Sequence, residues 1–464
     1  VESSMNTGKY PDVFFFNYGM TDSNTTETLV SNKQLVKLDE LLNETVPGEN
    51  VKLKDKLVDG ILENYATKPY GADGGVYTLP AFYSPTGLWY DASRFGEGKE
   101  FTLPATWAEF WELGETLNGK NGNNTNVTGD NPSLFTYPTA GYFDGFLYAA
   151  VAGMAGEPHL VRYHDEAGAG LLMLSFKDGI WEDPDIKSAL EVVVKLRHYL
   201  EPKTVAQATK EGFTSNQQAV IGTVDGDLNR TAKGTALFMP NGDWIETEMR
   251  LSAADSGITQ NVKFLPTPIV SELGVKLRLA GSAATEEEHE NLLVALVTAI
   301  DDGKTDAEIK ATYANLSDAQ IKAVREARSV VYTLGASHRI YIPTYSKAKT
   351  ACYNFVRFMA SDEGIKIFRK YAGSHSPFEY TVQPENEELT GFQKSQDKVL
   401  KNCSLIYATI TKSPIRAYNT INSDANAFAE FYANPSLTAE QLRADHYDSV
   451  ASKWNSMKLI AGVS

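Results

Sequence analysis

The chain has 464 residues, enough for two or three domains, and at 42% hydrophobic and 22% charged it has the make-up of an ordinary folded protein. Its formal charge of −16 comes with no Lys/Arg cluster. This argues against nucleic acid or an anionic membrane as partner, because phosphate binding needs concentrated positive charge. The acidity reads as solubility, and no apolar run is long enough to span a membrane. The two cysteines, Cys352 and Cys403, show no metal-ligand spacing. Cys352 falls on an apolar stripe and is expected to be a buried free thiol.

In chain order, Pro11 and Asp12 lead into VFFF, a run that fits a strand buried on both faces. The loop NYGMTDSN follows at its C-terminal end, the edge where open α/β sheets hold ligands. Residues 51–66 are expected to form an amphipathic helix. Short strands are expected at Val76–Leu79 and Leu88–Tyr90, with a Tyr- and Ser-bearing loop from Pro80 to Thr86 between them. Thr106 and Glu109 have the spacing of a capping box for a helix with Trp107, Phe110, Leu113 and Leu117 on its apolar face. Residues 118–133 form an Asn/Gly-rich loop. Asp183 and Pro184 open a helix bearing Ile186, Leu190 and Val193. Strands TALFM (235–239) and VKFLP (262–266) flank the turn PNGDW. Residues 285–330 are helical, acidic and Ala-rich, and a helix or two is expected between Ser436 and Ile460.

Residues 340–378 carry the densest pattern. Ile340–Ile342 reads as a strand, and Ser346 can cap a helix with Cys352, Phe355, Val356 and Met359 on one side. Ser361 caps a second helix, with Asp362 and Glu363 in its first turn, where the dipole favours anions. Ile365, Phe368 and Tyr371 form its stripe, and Gly373 stops it.

This tract, together with YPDVFFFNYG (10–19), the stretch 77–110, KGTALFMPNGDW (233–244) and KFLPTP (263–268), resembles the bacterial extracellular solute-binding proteins of the sugar-binding type (family 1). These are the receptors of ABC importers, of which maltose-binding protein is the familiar member. The resemblance implies an α/β, two-lobe, periplasmic-binding-protein-like (type II) fold. Each lobe would be a mostly parallel sheet flanked by helices, with ligand between the lobes. The chain would cross a hinge three times, near Leu88–Asp91, Leu265–Thr267 and Gly373–Glu379. Residues 1–90 and 266–375 would form lobe one, with a helical insertion at 285–330, and residues 91–265 and 376–464 lobe two. Family members carry a strand-helix unit before the Pro-Asp strand where this sequence has ten residues. The expectation is therefore a truncated N-terminus, and the absence of a signal peptide before Val1 fits a processed form. The family implies a bacterial source, where the seven Asn-x-Ser/Thr triplets would go unmodified.

A sugar offers C–H faces that stack on aromatic rings and hydroxyls that need paired donors and acceptors. The ligand candidates follow from that chemistry and from matching positions. Trp244 matches the aromatic that stacks on ligand in sugar-binding relatives, with Asp243 beside it. Tyr142 and Asp144 in GYFDG, and Tyr83 and Ser84 before the first crossing, match cleft-facing positions. Asn17 and Tyr18 end the first strand, His338 and Arg339 precede the strand at 340, and Arg416 lies in a segment that closes over ligand in relatives. Each has a structural alternative: a Trp packing the hinge, an Asp capping a turn, an Arg in a salt bridge. DGDLN (225–229) lacks the Gly and late Glu of a calcium loop. Glu246 and Glu248, two apart on a helix, do not face each other as glycosidase carboxylates would.

The expectation is a non-enzymatic, monomeric receptor for a sugar or oligosaccharide, without cofactor or metal. It would work by hinge closure and deliver its cargo to the permease subunits of an ABC transporter. It would sit lipid-anchored on the extracellular face of the cytoplasmic membrane, or in the periplasm. The alternatives are a carbohydrate-active enzyme and the same fold holding a non-sugar solute.

Overall fold

The structure, a computed structural model, describes residues 11–17, 26–62, 74–118, 127–137, 142–156, 184–207, 217, 219–222, 233–255, 261–333, 338–401, 403–407, 430–434 and 436–442. Its strands are β1 Phe14–Asn17, β2 Leu79–Pro80, β3 Pro85–Asp91, β4 Ser133–Phe135, β5 Ala236–Gly242, β6 Val262–Leu265, β7 Val330–Thr333, β8 His338–Tyr341 and β9 Ser404–Tyr407. Its helices are α1 Thr26–Ser31, α2 Asp39–Leu42, α3 Trp107–Asn118, α4 Tyr142–Ala155, α5 Pro184–Leu196, α6 Pro202–Gln207, α7 Ile245–Asp255, α8 Glu272–Lys276, α9 Glu286–Asp301, α10 Asp306–Thr312, α11 Asp318–Ser329, α12 Lys349–Met359, α13 Asp362–Ala372 and α14 Gly391–Leu400.

Among the described residues two sheets organise two lobes. In the smaller lobe β8 lies between β1 and β2, antiparallel to both, so among the described residues this sheet is not the mostly parallel one expected. The two-residue period of a strand divides its side chains between faces. Ile340 points into a core with Leu38, Leu41, Leu53, Cys352, Val356 and Ile365. Tyr341 points the other way and stacks on its register partner Phe14 at 5.1 Å and 7°. In the larger lobe the order is β4-β5-β3-β7-β9, with β6 also on β3. β3 runs against β5, β6 and β7, and the pairs β4–β5 and β7–β9 are parallel. One reversed strand thus sits among five that share a direction. Its Leu88 and Tyr90 join the large core built on α3, α4 and α5, and Trp89 faces a second core with Met239, Ile245, Met249 and Phe392.

Local signals explain many boundaries. Glu109 accepts from Ala105 and Thr106 N–H, and Thr106 Oγ1 accepts from Glu109 N–H, so the box expected at the start of α3 is formed. Ser361 Oγ accepts from Gly364 N–H, and Gly373, at φ 71°, ends α13 in the left-handed region. α9, α10 and α11 each begin with a complete capping box.

Several expectations are corrected. Residues 51–60 do not form a continuous helix. They make a 3-10 turn at Leu53–Lys56, then extended backbone at Leu57, which bridges Phe378. VFFF is not buried on both faces, since Phe15 is 47% exposed beside Phe355. The stripes of α12 and α13 hold only in part: Cys352, Val356 and Ile365 are buried as expected, but Phe355 and Tyr371 are exposed, and Tyr353 is buried in α12. The division into lobes also differs from the expected one. Leu273, Leu293, Leu296, Val297, Ile321 and Val324 share one core with α4 and α5, because α8 and α11 pack on α4 and α9 packs on both of them. Residues 269–332 therefore belong with the larger lobe. The chain re-enters the smaller lobe between Tyr332 and Ile340, not near Leu265–Thr267, and it leaves again between Tyr380 and Phe392. Both cysteines are free, and Cys352 is buried as expected. The DGDLN segment lies outside the described residues, as do 119–126 of the Asn-rich loop and the chain beyond 442.

Candidate functional site

The site grows from the end of β5. This strand is buried along its whole length and carries Asn241 and Gly242 to the sheet edge, where Asp243 and Trp244 turn into α7. Thr86 and Gly87 pair with Gly242 and Asn241 in register, so the approach to β3, with Ser84, lies alongside that turn. Trp244 is half-buried and its ring folds back over Gly242. A Cβ at 242 would stand 2.4 Å from two ring atoms, so only glycine leaves room for the ring. The Trp244 ring meets that of Tyr142, the first residue of α4, at 6.3 Å and 42°. Burial, reinforced by the charges of Glu248 and Asp243, raises the Tyr142 phenol well above its ordinary value. The hydroxyl therefore stays protonated while it contacts the Gly242 backbone.

Polar atoms surround this aromatic pair. Asp243 is fully buried, and its Oδ2 accepts from the His375 N–H at 2.8 Å. Asp243 Oδ1, Asn241 Nδ2 and Ser84 Oγ are buried without hydrogen-bond partners among the described residues. Buried polar atoms are almost always satisfied, so three such atoms at one edge mark a place where outside donors and acceptors can be accepted. Tyr83 is also buried, with its N–H on His375 O at 3.2 Å and burial raising its phenol far above normal. A hollow beside the pair, lined by Thr86, Gly87, Leu88, Tyr142, Gly145 and Pro240 among others, holds about 10 Å³. It admits roughly one water and no sugar ring.

Of the residues singled out in the sequence, Trp244, Tyr142, Asp243, Ser84 and Tyr83 therefore come together. Arg339 does not join them. It is fully buried in β8, opposite Phe16 and Pro80 in register. Asn17 and His338 are register partners across β1 and β8, and Asp144 lies in the first turn of α4. Their side chains lie outside the described residues, as do Tyr18 and Arg416. Two participants escaped sequence reasoning, Asn241 and His375. The signal for His375 was its place in GSHSPF, within a stretch already identified as a crossing. The carboxylates of α7 are engaged elsewhere: Glu246 accepts from the Thr390 hydroxyl and Glu248 from Gln217 Nε2. Burial raises both. Among the described residues no group of three or more His, Cys, Asp or Glu could hold a metal ion.

A profile of the bacterial extracellular solute-binding proteins matches residues 1–395. The chain belongs to that family. No curated protein matches it in sequence, and its similarity to solved structures is one of fold. A chitin oligosaccharide binding protein aligns over 98% of this chain and 87% of its own, at 15% identity and a TM-score of 0.56. RafE in complex with raffinose aligns over 98% and 88%, at 13% identity and a TM-score of 0.54. The sugar-binding protein MalE from Xanthomonas citri aligns over 99% and 87%, at 12% identity and a TM-score of 0.54. The two-lobe type II fold expected from the sequence is therefore the fold of this protein.

Proposed function

We propose that this chain is the receptor of an ABC importer. It takes up a sugar or oligosaccharide between its lobes, closes about the hinge, and hands the cargo unchanged to the membrane permease subunits. The observation that carries this reading is the Trp244–Tyr142 pair, set beside three buried polar atoms without partners. An aromatic face takes the C–H side of a pyranose, and Asp243 Oδ1, Asn241 Nδ2 and Ser84 Oγ are the acceptor and donors for its hydroxyls. The structural neighbours add support, since one is a chitin oligosaccharide binding protein and another holds raffinose. Ligand touching both lobes only when they close shifts the population to the closed form, with no cofactor required. The receptor works as a monomer outside the cytoplasmic membrane, lipid-anchored to its outer face or free in the periplasm.

The test is a thermal-shift screen of mono- and oligosaccharides, with product analysis on every hit. A sugar at about a hundred times its dissociation constant stabilises the fold by about 2.7 kcal/mol. A shift with the sugar recovered intact is the expected result. Cleavage of the sugar, or shifts confined to peptides, polyamines or metal complexes, would overturn the reading.

A further inference from the structure

The junction between the lobes holds a buried charge network that sugar binding alone does not call for. His375 is 8% exposed and belongs to the smaller lobe's last segment. Its backbone N–H donates to Asp243 Oδ2 at 2.8 Å, and its Nδ1 lies 3.2 Å from the same oxygen. Its Nε2 lies 3.4 Å from Asp397 Oδ1 on α14. Arg369 of α13 grips both Asp397 oxygens at 2.9 and 2.8 Å and reaches Glu387 at 3.4 Å. Tyr83 faces the imidazole with ring centroids 5.7 Å apart. The charged and titratable groups around the ring are thus Asp243 after β5, Asp397 on α14, Arg369 on α13 and Tyr83 before β3. Asp243 and Asp397 come from the larger lobe; His375 and Arg369 come from the smaller.

Asp243 is the residue before Trp244. Two contacts from His375 fix its carboxylate, so they also fix the turn from which the Trp244 ring folds over Gly242. We propose that His375 is the positioning residue of the ligand platform. From the smaller lobe it clamps Asp243 and so holds Trp244 in register with the lobe junction, most tightly when both ring nitrogens donate. The proposal rests on Trp244 being the sugar platform. A doubly protonated ring donates to Asp243 and Asp397 at once, whereas a neutral ring donates to only one of them. The surroundings favour the cation. Burial alone would lower the imidazole, but its bonds to Asp243 and Asp397 overcome this and raise it. Burial opposes ionisation of both carboxyls: Asp243 is raised despite its bonds to His375, whereas His375 and Arg369 hold Asp397 below the usual carboxylate range.

The sign follows from a raised folded-state value. The clamp's contribution is fully present below about pH 6.5, the ordinary histidine value, and is lost as pH rises through the higher folded one. The experiment compares wild type, His375→Asn and Trp244→Phe across pH 5.5–9.5, reading tryptophan emission and the urea midpoint without sugar, and raffinose and chitin-oligosaccharide affinity with it. An asparagine amide can stand in for Nδ1 and donate to Asp243, but it does not titrate. Wild type should show an emission step and a falling midpoint on the alkaline side of pH 6.5, with affinity down about fivefold or more for whichever probe binds. The Trp244→Phe variant should lose the emission step and keep the falling midpoint. The His375→Asn variant should lose both and bind with a flat pH profile. An emission step that survives in His375→Asn, or one that Trp244→Phe leaves intact, would overturn the clamp. If neither sugar binds wild type, the sugar reading suffers, while emission and midpoint still decide the clamp.

Discussion

The substitution Gly373→Ala probes how closely the two lobes meet. Gly373 ends α13 at φ 71°, where an L side chain costs about 1 kcal/mol or more. Its added Cβ would also stand 2.1 Å from Thr247 Oγ1 on α7 and 3.5 Å from Thr247 Cβ. The second distance is ordinary contact, so only the hydroxyl must swing away. That swing breaks its 3.3 Å bond to Ala372 O, worth about 1 kcal/mol. The total is about 2 kcal/mol. In a Thr247→Ala background the steric and hydrogen-bond parts are already gone, and Gly373→Ala should cost only the backbone part, leaving a coupling of about 1 kcal/mol. Gly373→Asn, which tolerates this backbone conformation, isolates the steric part. Urea unfolding followed by circular dichroism and fluorescence together supplies the energies, provided the two curves coincide. A coupling near zero would refute the docking of α13 on α7, and with it the argument that the junction is a packed surface.

Gly242→Ala tests the platform directly: the ring must leave its seat, so tryptophan emission should shift and sugar affinity should fall about tenfold, at a folding cost of about 1–3 kcal/mol. Unchanged emission would show that the ring does not lie over β5. Lys56→Met tests the smaller lobe, where a 2% exposed ammonium sits 2.5 Å from Glu49 and 2.7 Å from Asp362. Burial opposes ionisation of both carboxylates, yet Lys56 and further hydrogen bonds lower them. Depressed values mean stability that is present above the ordinary carboxylate range, near pH 4, and lost as pH falls through the folded values. The substitution should therefore cost roughly 3 kcal/mol at pH 7 and less at pH 3. An equal cost at the two pH values in urea unfolding would refute the pairing.

The sequence was most readable where local chemistry decides the outcome. Thr106 with Glu109, Ser361 and Gly373 marked helix ends because capping and left-handed backbone are properties of a few adjacent residues. It was least readable where distant surfaces compete. Phe355 and Tyr371 sit at good helical spacing yet face outward, because periodicity gives the width of a stripe and not its exact bearing. The helices at 285–330 were recognisable as helices from their acidic, Ala-rich make-up, but nothing local states that they share a core with α4 and α5.

The site divides along the same line. Trp244, Asp243 and Tyr142 could be singled out because a ligand platform needs residue types that stand out in a turn. Gly242 and His375 could not, since one matters by lacking a side chain and the other by a partner 132 residues away. Their arrangement has a functional consequence. Asp243 offers one oxygen to the smaller lobe through His375 and leaves the other without a partner among the described residues. A ligand hydroxyl on Oδ1 would compete for the same carboxylate charge that holds the junction on Oδ2. Binding and lobe packing would then be coupled through a single residue, and Asp243→Asn should weaken both together. Loss of affinity with an unaltered pH profile of unfolding would separate them and leave Asp243 as a ligand contact alone.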